Sequence, residues 1–217
     1  MTKAIIFDMD GVLINSQEAH YKADIMALAE VGHNVDLKFV MRGAGTTTVE
    51  RFSDWREELG YETPVDEISV RREEIIKELF INEGVEGVSG SKELLMDIKR
   101  NGIKTAVASS SSYDIINIIL EKLGIRELFD AVISGEDMER SKPAPDVFLK
   151  SAEVLGVTPD ECVVIEDSTN GVKAGFSAGM RVLGYINPTS GKQDLSLANT
   201  VTDDFFEYNF EKLSSIK

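Results

Sequence analysis

A single cysteine, Cys162, rules out an internal disulfide. The chain therefore suits a reducing compartment, and we expect a cytoplasmic protein. Basic residues are also scarce: 23 Lys and Arg stand against 38 Asp and Glu, for a formal net charge of -15. Such a surface repels nucleic acid backbones and anionic lipid, so neither is an expected partner. It repels an anionic substrate too, so a phosphate site here needs local cations or a metal. Long apolar runs are missing. The run at residues 4–7 is cut short by Asp8 and Asp10, which argues against a signal peptide. Nothing approaches the ~20 apolar residues of a membrane span. Internal repeats and low-complexity segments are absent as well.

What is present is enough for a folded core. Of the 217 residues, 42% are hydrophobic, well above the level of a disordered chain. The length suits one large domain, or one domain carrying a smaller insert. Short apolar runs at residues 3–7, 104–108, 131–133, 162–165 and 181–185 have the look of parallel strands covered on both faces. Helical patterns lie between them at 89–100, 113–123, 145–155 and 170–178. Three of these stop at Gly124, Gly156 and Gly179, and the first at Asn101-Gly102. The alternation predicts a doubly wound α/β fold with a Rossmann-like parallel sheet. Residues 16–84 break the rhythm. Helices are expected at 18–31 and 65–80, the stretch 42–59 is mixed, and no strand stands out. We therefore expect an α/β core of residues 1–15 and 85–217 with a helical insert at 16–84. The tail at 203–217 reads as a helix packed on the core.

Four polar clusters sit at the C-terminal ends of predicted strands, the edge where ligands bind in such sheets. In Asp8-Met9-Asp10-Gly11-Val12, one carboxylate can act as a nucleophile and the other can carry a proton. Gly11 permits a tight turn against a ligand. Taken alone, the run reads as a simple turn. Ser109 and Ser110 close the second strand before a helix, where a hydroxyl and main-chain N–H groups can hold a phosphoryl oxygen; a polar N-cap explains them equally well. Lys142, beside two prolines, supplies a point charge for a phosphoryl group, although most lysines are merely solvated. Glu166-Asp167 places two acids side by side at a strand end. They repel each other unless a cation is present, and hard oxygen donors suit Mg²⁺; an acidic helix start is the plainer reading.

The order of the clusters says more than any one of them. Asp-x-Asp, Ser, Lys-Pro and Glu-Asp, each after an apolar strand, resemble the four motifs of the haloacid dehalogenase-like hydrolase superfamily. The resemblance extends to Ser168-Thr169-Asn170-Gly171-Val172 and to Pro143-Ala144-Pro145-Asp146-Val147-Phe148, and it covers nearly the whole chain. The position of the insert is similar to the subclass with a helical cap between the first and second motifs, in its β-phosphoglucomutase and sugar-phosphate phosphatase branch. This resemblance implies that Asp8 attacks phosphorus and forms an aspartyl-phosphate. Asp10 would protonate the leaving oxygen and then activate water or a second hydroxyl. It also implies Mg²⁺ held by Asp8, the Asp10 carbonyl and Asp167, with Glu166 as a further ligand or a supporting partner. Ser109, Ser110 and Lys142 would clamp the phosphoryl oxygens.

Within that branch the insert decides the acceptor. His20 falls where mutase relatives place a histidine of the cap. Arg42-Gly43-Ala44-Gly45-Thr46-Thr47 occupies the specificity loop. There the arginine that grips a second phosphate in mutases would fall at Thr46. Arg42, Arg71 or Arg72 could substitute for it. Mutases also tend to carry Lys-Asn after the second motif, where this chain has Ser112-Tyr113, and Asn15 replaces an aspartate usual in the family. The expectation is a Mg²⁺-dependent phosphatase for a small phosphorylated metabolite such as a sugar phosphate, acting as a monomer. The alternative is a β-phosphoglucomutase-like isomerase, and a silent regulatory protein is disfavoured by the intact carboxylates.

Overall fold

A computed structural model describes residues 1–191 and 193–217. Six parallel strands form one sheet: β1 (Ala4–Phe7), β2 (Lys104–Ser109), β3 (Ala131–Ser134), β4 (Cys162–Glu166), β5 (Arg181–Tyr185) and β6 (Thr200–Thr202). Their spatial order is β3-β2-β1-β4-β5-β6. β1 lies in the middle, and the order reverses at its junction with β4, which creates a crevice at the C-terminal edge. β1 and β4 are buried at every position, as their unbroken apolar runs require. Phe7 pairs with Val107 on one side and Ile165 on the other. The residues just beyond those strand ends therefore emerge together.

Alternate positions carry the core on one face. Ala4, Ile6, Ala106, Ala108, Ile133, Val164 and Val182 pack with Phe148, Ala152 and Leu155 of α7 (Asp146–Leu155) and with Val172 and Ala174 of α8 (Thr169–Ser177). The alanines of β2 leave room for the fully buried Phe148 ring. Truncating such a ring to Ala costs about 3–5 kcal/mol. The other face is covered by α5 (Ser91–Arg100) and α6 (Tyr113–Lys122), with Leu95, Ile98, Ile116, Ile119 and Leu120 buried.

The chain divides into two compact units, one of Met1–Asn15 with Val85–Lys217 and one of Ser16–Gly84. The second unit contains α1 (Gln17–Glu30), α2 (Leu37–Met41), α3 (Thr48–Leu59) and α4 (Val65–Glu83), and no strand. The stretch that looks mixed in sequence resolves into two capped helices. Asp36 accepts from the Phe39 N–H to start α2. Thr47 and Glu50 form a reciprocal capping box at α3, which then buries Phe52 and Trp55.

The tail departs from the single helix expected. It makes a short turn at Phe205–Glu207, begun by the Asp204 carboxylate, and then only the five residues of α9 (Phe210–Ser214), begun by Asn209. Two N-capping side chains five residues apart break up the run. Phe205 stacks on Tyr185, with ring centroids 4.2 Å apart, which anchors this segment to β5. No helix among the described residues is long and apolar enough to cross a membrane.

Candidate active site

Three neighbouring strands deliver the polar clusters to one place. Asp8 follows β1, Ser109 ends β2, and Glu166 ends β4 with Asp167 directly after it. Lys142 comes from the segment between β3 and α7 and is followed by a cis peptide to Pro143. Its Nζ donates to Asp8 Oδ1 at 2.5 Å, to Glu166 Oε1 at 2.8 Å and to the Ala108 carbonyl at 3.3 Å. The ammonium also lies 4.8 Å from the Phe148 ring centroid. Asp8, Lys142, Glu166 and Asp167 are all nearly inaccessible to solvent.

The charges there are unusual for a buried site. Burial alone would favour the neutral amine of Lys142, but Asp8 and Glu166 outweigh it and hold the ammonium above its ordinary range. Burial raises the Asp8 carboxyl well above normal against the pull of Lys142, helped by Glu166, Asp167 and Asp10. Burial and Glu166 push Asp167 up to about 8, although a hydrogen bond from Ser190 opposes them. One lysine thus faces more carboxylate than it can neutralise.

The donor set suits a hard divalent cation. Asp8, Glu166 and Asp167 each offer an oxygen, and these oxygens lie within 4.8 Å of one another. The three acids are not equivalent. Glu166 gives Oε1 to Lys142, while its Oε2 accepts from Ser168 N at 2.8 Å and Ser168 Oγ at 3.0 Å. A Cβ on Gly171 would stand 1.6 Å from Glu166 Oε1, so the glycine of the Ser168–Val172 stretch makes room for this carboxylate. Gly11 plays the same part for Asp167. Its φ is +82°, and a Cβ there would lie 2.1 Å from Asp167 Oδ2.

Asp10 points toward hydroxyls. Its Oδ2 receives Ser111 Oγ at 3.2 Å and Ser109 Oγ at 3.5 Å, and Ser109 Oγ accepts from Ser111 N at 3.1 Å. Ser110 is exposed to solvent. The serine run thus places Ser109 and Ser111 against Asp10, and the Ser111 contact is one that sequence reading did not single out. Further contacts to Asp167 come from the loop after β5. Ser190 Oγ donates to Oδ2 at 2.5 Å, and Gln193 Nε2 donates to the Asp167 carbonyl at 2.5 Å.

The other predicted residues lie in the helical unit. His20, on α1, has Nδ1 2.6 Å from an Arg72 nitrogen and meets the Phe80 ring edge-on. Arg72 and Arg51 share the buried Asp24 carboxylate. Arg42 is bound to Glu58 and lies over Phe39. Arg71 is bound to Glu30 and Glu74, and Arg56 to the Tyr61 and Glu62 carbonyls. Thr46 Oγ1 donates to the Gly43 carbonyl at 2.7 Å, and Gly43 packs against Trp55 and Arg51. The arginines that could have replaced the one missing at Thr46 are each engaged with a carboxylate of their own unit.

Residues 5–185 match the family model described as haloacid dehalogenase-like hydrolase. The chain is 35% identical over 190 residues to the Arabidopsis thaliana protein SUPPRESSOR OF QUENCHING 1, chloroplastic; the match covers 83% of this chain and spans only 17% of that protein. It is 33% identical over 181 residues to fructose-1-phosphate phosphatase YqaB of Escherichia coli (strain K12), covering 81% of this chain and 92% of the relative. Among solved structures, a β-phosphoglucomutase from Clostridium difficile superposes with a TM-score of 0.81 at 30% identity, covering 99% of this chain and 96% of the other.

Proposed function

Because the chain belongs to the haloacid dehalogenase-like hydrolase family and is an enzyme of its phosphomonoester-hydrolase type, we propose that it releases phosphate from a small phosphorylated metabolite, probed first as a sugar phosphate, with Asp8 as the nucleophile. The observation that carries this reading is the ion pair between Lys142 and Asp8 at the edge where β1 and β4 end.

The steps follow from what each side chain can do. Lys142 opposes the protonation of Asp8 that burial favours, and it stands ready for a phosphoryl oxygen. An Asp8 oxygen attacks phosphorus, the phosphorus–oxygen bond to the substrate breaks, and Asp10 gives its proton to the leaving oxygen. Water then attacks the aspartyl-phosphate and loses a proton to Asp10, which frees phosphate and restores Asp8. Ser109 and Ser111, in contact with Asp10, orient its carboxyl, and Ser109 also serves the phosphoryl oxygens.

The metal is part of the proposal. Mg²⁺ would be held by Asp8, Asp167 and the Asp10 carbonyl, and when bound it supplies positive charge against the phosphoryl group. Glu166 is best read as the support for Lys142, since both of its oxygens already have protein donors. We further propose that the helical unit is a cap that carries specificity, and that the enzyme works in the cytoplasm as a monomer.

A second reading, a phosphoglucomutase-like isomerase, is favoured by the likeness to the Clostridium difficile enzyme. Against it stands the pairing of Arg42, Arg51, Arg71 and Arg72 with carboxylates, which leaves the Thr46 loop without an obvious anchor for a second phosphate. A phosphate-release panel of sugar, polyol and nucleotide monophosphates with Mg²⁺ tests the first reading. β-Glucose 1-phosphate with a trace of the 1,6-bisphosphate tests the second. Free phosphate from the panel is expected; glucose 6-phosphate without free phosphate would overturn the preference.

A further inference from the structure

The loop after β5 holds the candidate metal carboxylate without belonging to any of the four motifs. Asn187 is 2% exposed and uses all four hydrogen-bonding positions of its amide. Nδ2 donates to the Gly11 carbonyl at 2.8 Å and to Asn15 Oδ1 at 3.3 Å. Oδ1 accepts from Thr189 N at 2.8 Å and Thr189 Oγ1 at 2.7 Å. The amide thus joins the turn that carries Asp8 and Asp10 to a second turn, closed by Ser190 N on the Asn187 carbonyl at 3.2 Å. From that second turn Ser190 Oγ reaches Asp167 Oδ2 at 2.5 Å, and a little further on Gln193 ties the Asp167 main chain to the Tyr185 carbonyl.

Each link has a chemical requirement. An aspartate at 187 would lose both donors and face the Gly11 carbonyl with negative charge. An alanine at 190 would leave one oxygen of a buried carboxylate, crowded by Glu166 and Asp10, without its hydroxyl donor. Serine and asparagine in a turn are ordinarily read as turn formers, but here the same two side chains link the turn after β1 to the Asp167 carboxylate after β4.

We infer that Asn187 and Ser190 are positioning residues for the cation: they clamp the Asp8–Gly11 turn to Asp167 and so set the affinity for Mg²⁺. This rests on the proposal that Asp167 binds Mg²⁺. Carboxylate ligands are oriented by such outer partners, whose loss typically costs 10–100-fold in metal affinity.

The test uses the full chain and Mg²⁺ alone, measured by titration calorimetry and by the metal-induced shift in Tm, for wild type, Ser190→Ala, Ser190→Thr, Asn187→Asp and Asp167→Asn. Ser190→Ala should weaken Mg²⁺ binding about tenfold, and Ser190→Thr, which keeps the hydroxyl, should restore it. Asn187→Asp should weaken binding at least as much; if that variant does not fold, the Ser190 pair still decides. In turnover assays the Mg²⁺ concentration for half-activation should rise in Ser190→Ala, while substrate KM at saturating Mg²⁺ does not follow it. A purely structural role would lower Tm without moving that midpoint. If Asp167→Asn abolishes binding but Ser190→Ala binds Mg²⁺ as wild type does, the clamp is wrong and the metal site stands. If Asp167→Asn also binds as wild type does, the metal site is wrong and the clamp falls with it.

Discussion

The Lys142 ammonium sits 2.5 Å from the Asp8 carboxylate, although 134 residues separate them in the chain. The two groups are buried together beneath the strand ends, and Lys142 is shared with Glu166 at 2.8 Å. A buried carboxylate favours its protonated, non-nucleophilic form. The lysine is the group that opposes this at Asp8.

Lys142→Met should therefore do more than remove a contact. Without the cation, Asp8 is protonated further into the neutral range, and a phosphoryl oxygen loses its partner. We expect kcat/KM to fall about 100- to 1000-fold. The residual rate should peak at higher pH than in the wild type, because Asp8 then needs a higher pH to ionise. A pH–rate profile of both proteins checks this; an unchanged optimum would contradict it.

Gly171→Ala tests how far a residue outside the charged cluster governs it. The new methyl would overlap the Glu166 carboxylate, so Glu166 must move and Lys142 loses a support. Overpacking of this kind costs about 1–3 kcal/mol, which thermal unfolding would register as a lower Tm. Activity should fall together with it. A variant with wild-type Tm and wild-type kcat would show that Glu166 tolerates displacement.

The carboxyl of Asp167, pushed up to about 8, makes stability depend on pH and metal together. Its folded value lies above the unfolded one of about 3.9, so the folded state binds the extra proton. The stability it contributes is fully present below about pH 4 and is lost as pH rises through about 8. Asp8 acts in the same direction. Protein kept in a chelator should thus unfold at lower denaturant concentration at pH 8 than at pH 5.5. Mg²⁺ should restore stability mainly at the higher pH, because it binds the ionised carboxylate. Equal Mg²⁺ stabilisation at both pH values would contradict the assignment.

Cys162 offers a check on the core. It is buried in β4, and burial pushes its thiol up to about 12. The native protein should react with a disulfide reagent only as fast as it unfolds, and completely once denatured. Rapid labelling of native protein would mean that β4 is not held as described.

These features differ in how readable they are from sequence. Five strands are legible because their apolar runs, such as 162–165, are too short and too uniformly buried for a surface helix. β6 is not legible: Thr200–Thr202 has only three residues, and Val201 is exposed, so no hydrophobic pattern marks it. α3 carries a readable signal in Thr47 and Glu50, three apart, which the mixed composition of 42–59 obscures. Asp8-Asp10, Ser109 and Glu166-Asp167 stand out because each closes an apolar run, whereas Lys142 lies eight residues past the end of β3 and is marked only by the prolines beside it. Ser111, Asn187, Ser190 and Gln193 do not stand out, since polar turn residues are common and their partners lie far away in sequence. Asn187 and Gly11 are 176 residues apart, and no local pattern encodes such a contact. The same holds for Arg72 and His20, 52 residues apart on different helices.

The central claim is that Asp8 is the nucleophile, and Asp8→Asn measures it most directly. The variant is nearly isosteric and keeps an oxygen for Lys142, so it should fold with a wild-type circular dichroism spectrum. Assayed with Mg²⁺ and a substrate found in the phosphate-release panel, it should lose nearly all turnover and form no phosphorylated protein on acid quench. A folded Asp8→Asn protein that releases phosphate at the wild-type rate would contradict the account.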